Sequence, residues 1–445
     1  MKRNTFHWII AAIAMLLCAP MPAQIYGQRP SEDTYARRLI DVTLKKHPEV
    51  VTLAMHVTPP NSADNVIIAS NFGALGKKAD DDDLGVLKTG KPRMEVGKKG
   101  DRFSVELPLK DVSRNTVGVL AVAFPYKPGE NKGKFLKMAE RVRDELARRI
   151  ASVGNLVEPF PYDAKIPTNT YAQHLVDQAL ARHPEAIILA MHVTPPKSSE
   201  NVIVASNIGR IGKKADEDDL KVTETGNPIT EPNTAGDRYE VELVLQDVSH
   251  DTIGALGAVF LYKKGDDTAR LKKQAEQIRD EFRRRITFVA NLLDPFPYSE
   301  LPTNTYAQKL VDETIAVHPD LQILALHVTL PGGSRNVILA STIGRIGKKA
   351  DEDDMKVIET GDPLLEVHVS GKRFEVELQL HDRSGKTIGA VSEVFAYKPG
   401  DAKDQFRKRA EVIRAEIEKK IPSVAKLVEP ADRNLYPSRR RLGKH

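Results

Sequence analysis

The sequence predicts an α+β protein built from three tandem copies of one domain. Three observations point there: a motif that recurs at a whole-domain period, proline-rich junctions, and a switch within each copy from helical to alternating apolar spacing. His47-Pro48 returns as His183-Pro184 and His318-Pro319, a period of about 135 residues. Solenoid repeats span roughly 20–50 residues, so each copy here is a complete domain with its own core. The expected copies are residues 31–160, 167–296 and 302–430. Glu158-Pro159-Phe160-Pro161-Tyr162 and Asp294-Pro295-Phe296-Pro297-Tyr298 end the first two, and their prolines make the linkers short and stiff.

Each copy opens with a helix. In the second, Thr170 and Gln173 read as a capping box, and Tyr171, Leu175, Val176 and Ala179 keep helical spacing. Thr305 and Gln308 repeat the box in the third. Proline of the His-Pro pair stops the helix. Two strands follow, Ile187–Val193 and Asn201–Ser206, joined by a turn at Pro195-Pro196. The stretch from Gly209 to Asp219 reads as a loop entering a short helix that ends at Thr225-Gly226. A hairpin comes next. Tyr239, Val241, Leu243 and Leu245 alternate with polar residues at period two, the turn lies near 247–251, and the return strand covers Thr252–Tyr262. A closing amphipathic helix carries Leu271, Ala275, Ile278, Phe282, Ile286 and Val289 on one stripe. Helices beside a strand-rich centre give an antiparallel sheet with helices packed against it.

The hairpin turn Asp382-Arg-Ser-Gly385 leading into Lys386-Thr-Ile-Gly-Ala-Val391 resembles the extracytoplasmic PAS-like sensor modules called Cache domains. Asp247-Val-Ser-His-Asp-Thr-Ile-Gly254 and Asp111-Val-Ser-Arg-Asn-Thr-Val-Gly118 fill the same place in the other copies. The resemblance covers each repeat. It implies a central antiparallel sheet, a long N-terminal helix and a C-terminal amphipathic helix, with a small-metabolite pocket on the face away from the N-terminal helix. Two departures stand out. Such domains usually sit between membrane helices and feed a signalling module, which this chain lacks. Some amino-acid-binding members also use a tryptophan, and Trp8 is the only one here. The resemblance therefore implies output through a separate partner, such as a membrane-bound signalling protein.

Composition narrows the setting. Lys and Arg number 66 against 61 Asp and Glu, a net +5 spread over 445 residues. That describes a mixed, solvated surface and argues against nucleic-acid binding, which needs clustered positive charge. Residues 1–27 read as a signal peptide: Lys2 and Arg3, an apolar run from Trp8 to Leu17, then small residues with cleavage after Ala23 or Gly27. The run falls short of the roughly 20 residues that span a bilayer. No later apolar run follows, so no transmembrane span is expected after the signal. The expected location is periplasmic or secreted. Cys18 is the only cysteine, and it would leave with the signal. Disulfides, thiolate nucleophiles and cysteine metal sites are then excluded. Residues 431–445 read as a basic, disordered tail.

Three sets of residues are candidate ligand contacts. His56, His192 and His327 occupy one position on the first strand, beside Ala54, Ala190 and Ala325 and opposite Met55, Met191 and Leu326. A histidine among small side chains can face a pocket and meet a carboxylate or other anion. Ser70, Ser206 and Ser341 end the second strand, where a hydroxyl and free N–H groups can hold an anion or simply form a turn. Arg210 and Arg345 follow in the loop and could clamp a carboxylate; Ala74 stands there in the first copy. Arg102, Arg238 and Arg373 share a strand face with Glu106, Glu242 and Glu377, where salt bridges are the default. His47, His183 and His318 suit the negative end of a helix.

Other motifs fail on spacing. Gly212-Lys213-Lys214 lacks the P-loop glycine and the Ser or Thr after lysine. The acidic run 80–83 lacks EF-hand spacing and reads as solvated pairing with the lysines before it. No nucleophile elbow, HExxH or cysteine–histidine set appears. The expectation is a non-enzymatic, sensor-like binding protein with no catalytic residues, no cofactor and no metal, whose partner is a small molecule. The other reading is an extracytoplasmic scaffold of three rigid repeats.

Overall fold

In the computed structural model, residues 33–332 and 335–431 are described. The expected signal segment and all of the expected tail but Ala431 lie outside them. Repeat 1 runs α1 (Tyr35–Lys46), β1 (Thr52–Val57), β2 (Val66–Ser70), α2 (Asp81–Thr89), β3 (Arg93–Val96), β4 (Arg102–Lys110), β5 (Thr116–Pro125), α3 (Lys132–Ala147) and α4 (Val153–Val157). Repeat 2 has α5 (Tyr171–Arg182), β6 (Ala186–Val193), β7 (Val202–Ser206), α6 (Glu217–Thr225), β8 (Ile229–Pro232), β9 (Arg238–Gln246), β10 (Thr252–Leu261), α7 (Thr268–Arg283) and α8 (Val289–Leu292). Repeat 3 has α9 (Tyr306–Val317), β11 (Leu321–Thr329), β12 (Asn336–Ser341), α10 (Glu352–Thr360), β13 (Leu364–Val367), β14 (Arg373–His381), β15 (Thr387–Ala396), α11 (Lys403–Glu418) and α12 (Val424–Leu427).

Each repeat is one five-stranded sheet, ordered β2-β1-β5-β4-β3 in the first and likewise in the others, with every recorded pairing antiparallel. The first and last long strands lie side by side at the centre. One sheet face is apolar and packs on the first and last long helices. In repeat 2 Leu189, Met191, Val241, Leu243, Leu256 and Phe260 meet Leu175, Val176, Ala275, Ile278 and Phe282. This is the alternation that the sequence predicts.

Three expectations change in detail. The N-terminal helix has 12 residues, while the C-terminal one has 16. The capping box at Thr170 is half formed: Thr170 accepts from the Gln173 N–H, but the Gln173 side chain turns away to accept from the Ser206 N–H at 3.1 Å. The edge strands β3, β8 and β13 were not anticipated, being four residues long and mostly exposed. The second glycine of the hairpin motif has a steric reason. A Cβ on Gly118, Gly254 or Gly389 would lie 2.1, 1.9 or 1.8 Å from the carbonyl oxygen of His56, His192 or His327.

Successive repeats pack head to tail. The turn and C-terminal end of one repeat lie on the polar sheet face of the next. Val112 and Ala151 meet Ile188, Ile208 and Val259 at the first junction; Val248 meets Ile323, Ile343 and Val394 at the second. Asn155 donates to Ile208 O at 2.9 Å and Asn291 to Ile343 O at 3.1 Å. The Tyr35 hydroxyl donates to Asn207 O, and the Tyr171 hydroxyl to Thr342 O.

Candidate functional site

The sheet face away from the long helices carries the polar site. Antiparallel pairing sets Ala190 beside Gly257, and Gly257 beside Glu242; His192 pairs with Ala255 one step along. Small residues on β10 therefore separate His192 from Glu242 and leave room above the sheet. Helix α6 covers this space. Its N-cap Asp216 and its Asp219 form a reciprocal capping box, and Asp219 is buried as a result. The acidic run read as solvated pairing is thus a helix start, and its last carboxylate points inward.

That carboxylate reaches the strand histidine in every repeat. Nδ1 of His56, His192 and His327 lies 3.2, 2.8 and 3.2 Å from an oxygen of Asp83, Asp219 and Asp354. The distances suit an ion pair, yet none of the three Nδ1 atoms is aligned for a hydrogen bond. A strand glutamate, Glu106, Glu242 or Glu377, completes each group, and one oxygen of each is also buried without a hydrogen-bond partner. Burial, and then the aspartate beside it, push the Glu242 carboxyl up to about 9 and that of Glu377 to about 10. Glu106 rises only to about 7, because Arg93 opposes the same effects.

In repeat 2 this face holds a cavity of about 270 Å³. His192, Asp219, Glu240 and Glu242 line its floor and helix side, Lys213, Lys214 and Arg210 the loop side, and Ala151 and Ser152 of repeat 1 close one end.

The histidines sit on the sheet face away from the long helices, and His192 lines the repeat 2 cavity. The serines and arginines are engaged differently. The Ser70 hydroxyl donates to Gly73 O; the Ser206 and Ser341 hydroxyls accept from the N–H two residues on. The Ser206 and Ser341 N–H groups are taken by Gln173 and Gln308. Arg210 donates to both oxygens of Glu158, at 3.0 and 3.1 Å, and Arg345 pairs with Asp294 at 3.2 Å. These arginines bind the preceding repeat, and no described repeat precedes Ala74. Arg238 also crosses the junction, to Asp111, Ser113 and the Ala151 carbonyl, instead of pairing with Glu242. The aspartate and glutamate partners of the histidines were missed. The available signal was the repeated D-x-x-D spacing at 80–83, 216–219 and 351–354.

Three antiparallel α+β domains, each with its long helices on one sheet face and a buried His–Asp pair beside a strand glutamate on the other, are what the chain presents. No family model matches it, and no curated protein matches it. Solved structures that resemble it include a GAF domain from A. aeolicus, at 15% identity and TM-score 0.22, over 26% of this chain and 83% of that one. A type II free methionine-R-sulfoxide reductase from Thermoplasma acidophilum aligns at 12% identity and TM-score 0.22, over 28% and 96%. PelD from Pseudomonas aeruginosa, in complex with c-di-GMP, aligns at 15% identity and TM-score 0.22, over 58% and 78%. These likenesses are too weak to assign a family.

Proposed function

We propose that this is an exported, non-enzymatic, sensor-like protein of the Cache type that binds a small polar metabolite. The observation that carries the reading is the repeat 2 cavity: charged groups converge on it around the small Ala190 and Gly257 of the sheet. Its size suits a metabolite of few atoms, near the low end of ordinary ligand pockets. Lys213 on the loop side favours an anionic end, with Glu240 and Glu242 facing the remainder. A signal reaching a membrane-bound partner would pass through the junction, because repeat 1 closes the same cavity.

The test is a thermal-shift screen of the mature chain, with chelator present, against organic acids, amino acids and nucleobases. A ligand at about 100 times its Kd adds roughly 2.7 kcal/mol to the native state. Gly257→Leu should abolish the shift, since a Cβ there meets nothing nearer than Glu240 at 3.8 Å and the side chain enters the cavity. A shift that survives Gly257→Leu places binding elsewhere. A flat response favours the scaffold reading, which the closely bonded junctions also fit.

A further inference from the structure

We propose that repeat 3 holds one first-row transition-metal dication on His327, Asp354 and Glu377. A nitrogen and two carboxylate oxygens from these residues lie within 4.8 Å of one another, and all three side chains are buried. On the same residues, His327 Nδ1 and Glu377 Oε1 have no hydrogen-bond partner, although Glu377 is 2% exposed. Such atoms are costly unless something meets them. Ligands about 2.0–2.2 Å from one ion stand roughly 3.0–3.5 Å apart, which matches the 3.2 Å between His327 and Asp354. Near-contact without hydrogen-bond alignment is what lone pairs aimed at a shared third point produce.

Repeat 1 supplies an internal comparison. Opposite Glu106 on the edge strand stands Arg93, 3.7 Å away, so a guanidinium already brings positive charge. Ile229 and Leu364 hold that register in repeats 2 and 3. In repeat 3 two buried carboxylates, Asp354 and Glu377, face one imidazole with no guanidinium opposite them on the edge strand. The imidazole selects against calcium and magnesium, which prefer all-oxygen shells, and for zinc, manganese, iron or cobalt.

The test uses the full mature chain, stripped with chelator, loaded with Zn²⁺ or Co²⁺, desalted and assayed by elemental analysis. Wild type should retain at least one equivalent, and Glu377→Gln one fewer. Glu106→Gln should match wild type. Bound Co²⁺ should show visible d–d absorption that weakens in His327→Ala. Far-UV circular dichroism accompanies each variant; if His327→Ala fails to fold, Glu377→Gln decides alone. A wild-type chain that retains no metal, or a folded Glu377→Gln that retains as much as wild type, overturns the proposal. Neither result depends on whether the repeat 2 cavity binds a metabolite.

Discussion

At the scale of single residues, His174 shows what burial does to a titratable ring. It stacks on Phe296, with ring centroids 3.9 Å apart. Burial, with Arg285 and Arg182 adding repulsion, holds its pKa near 3 against an ordinary 6.5. The unfolded chain therefore takes the proton first as pH falls. Stability should drop from pH 6.5 towards 3 by up to about 1.4 kcal/mol per unit from this group. Denaturant melts of wild type and His174→Gln check it: the variant should lose much of that slope, and equal slopes would refute the assignment. The strand histidines were legible because alternation alone puts them beside alanine. Asp219 and Glu242 were not. Their meeting with His192 depends on sheet order and on a helix folding back, neither of which local spacing encodes.

At the scale of elements, the residue before each helix-stopping proline joins two helices. His47, His183 and His318 close their helix through the backbone, as the sequence suggested. Their Nε2 atoms also lie 2.9, 3.0 and 2.9 Å from Glu145, Glu281 and Glu416 on the C-terminal helix, 98 residues away in each case. The bond to Glu281 raises the His183 pKa. Against an opposing burial cost, the bond to His183 helps to lower that of Glu281. A raised histidine stabilises below its unfolded value of 6.5, and that contribution is lost as pH climbs through the folded value. A lowered glutamate stabilises above 4.5 and is lost on acidification. The pair should therefore contribute most between pH 4.5 and 6.5. The melting difference between wild type and His183→Gln should peak there and shrink by pH 9. Element types and order were legible from periodicity. The short edge strands were not, because four exposed residues carry no period.

For the whole molecule, both junctions share the same apolar, asparagine and tyrosine contacts in the same direction, so the repeats form a polar stack. The two outer faces depart from the pattern. Where Val112 and Val248 enter a neighbour, repeat 3 has Arg383; where Asn155 and Asn291 bond across, it has Lys426. At the other end, Thr52 replaces Ile188 and Ile323, and Ala74 replaces Arg210 and Arg345. Phe72, the counterpart of buried Ile208, is 54% exposed. The repeat period was plain in the sequence. The junction roles of Arg210 and Arg238 were not, since only the packed neighbour shows what a polar side chain on a sheet face meets.

Those mismatched ends have a consequence for assembly. A contact that maps one unit onto the next by a single screw operation has no built-in stopping point, and it yields filaments whenever both free ends match. Arg383, Lys426, Thr52 and Ala74 leave the outer faces of repeats 3 and 1 without the residues that make the internal junctions. Restoring the internal residues at all four positions, as Arg383→Val, Lys426→Asn, Thr52→Ile and Ala74→Arg, should let molecules join end to end. Light scattering would then rise with concentration, and micrographs would show fibres one domain wide.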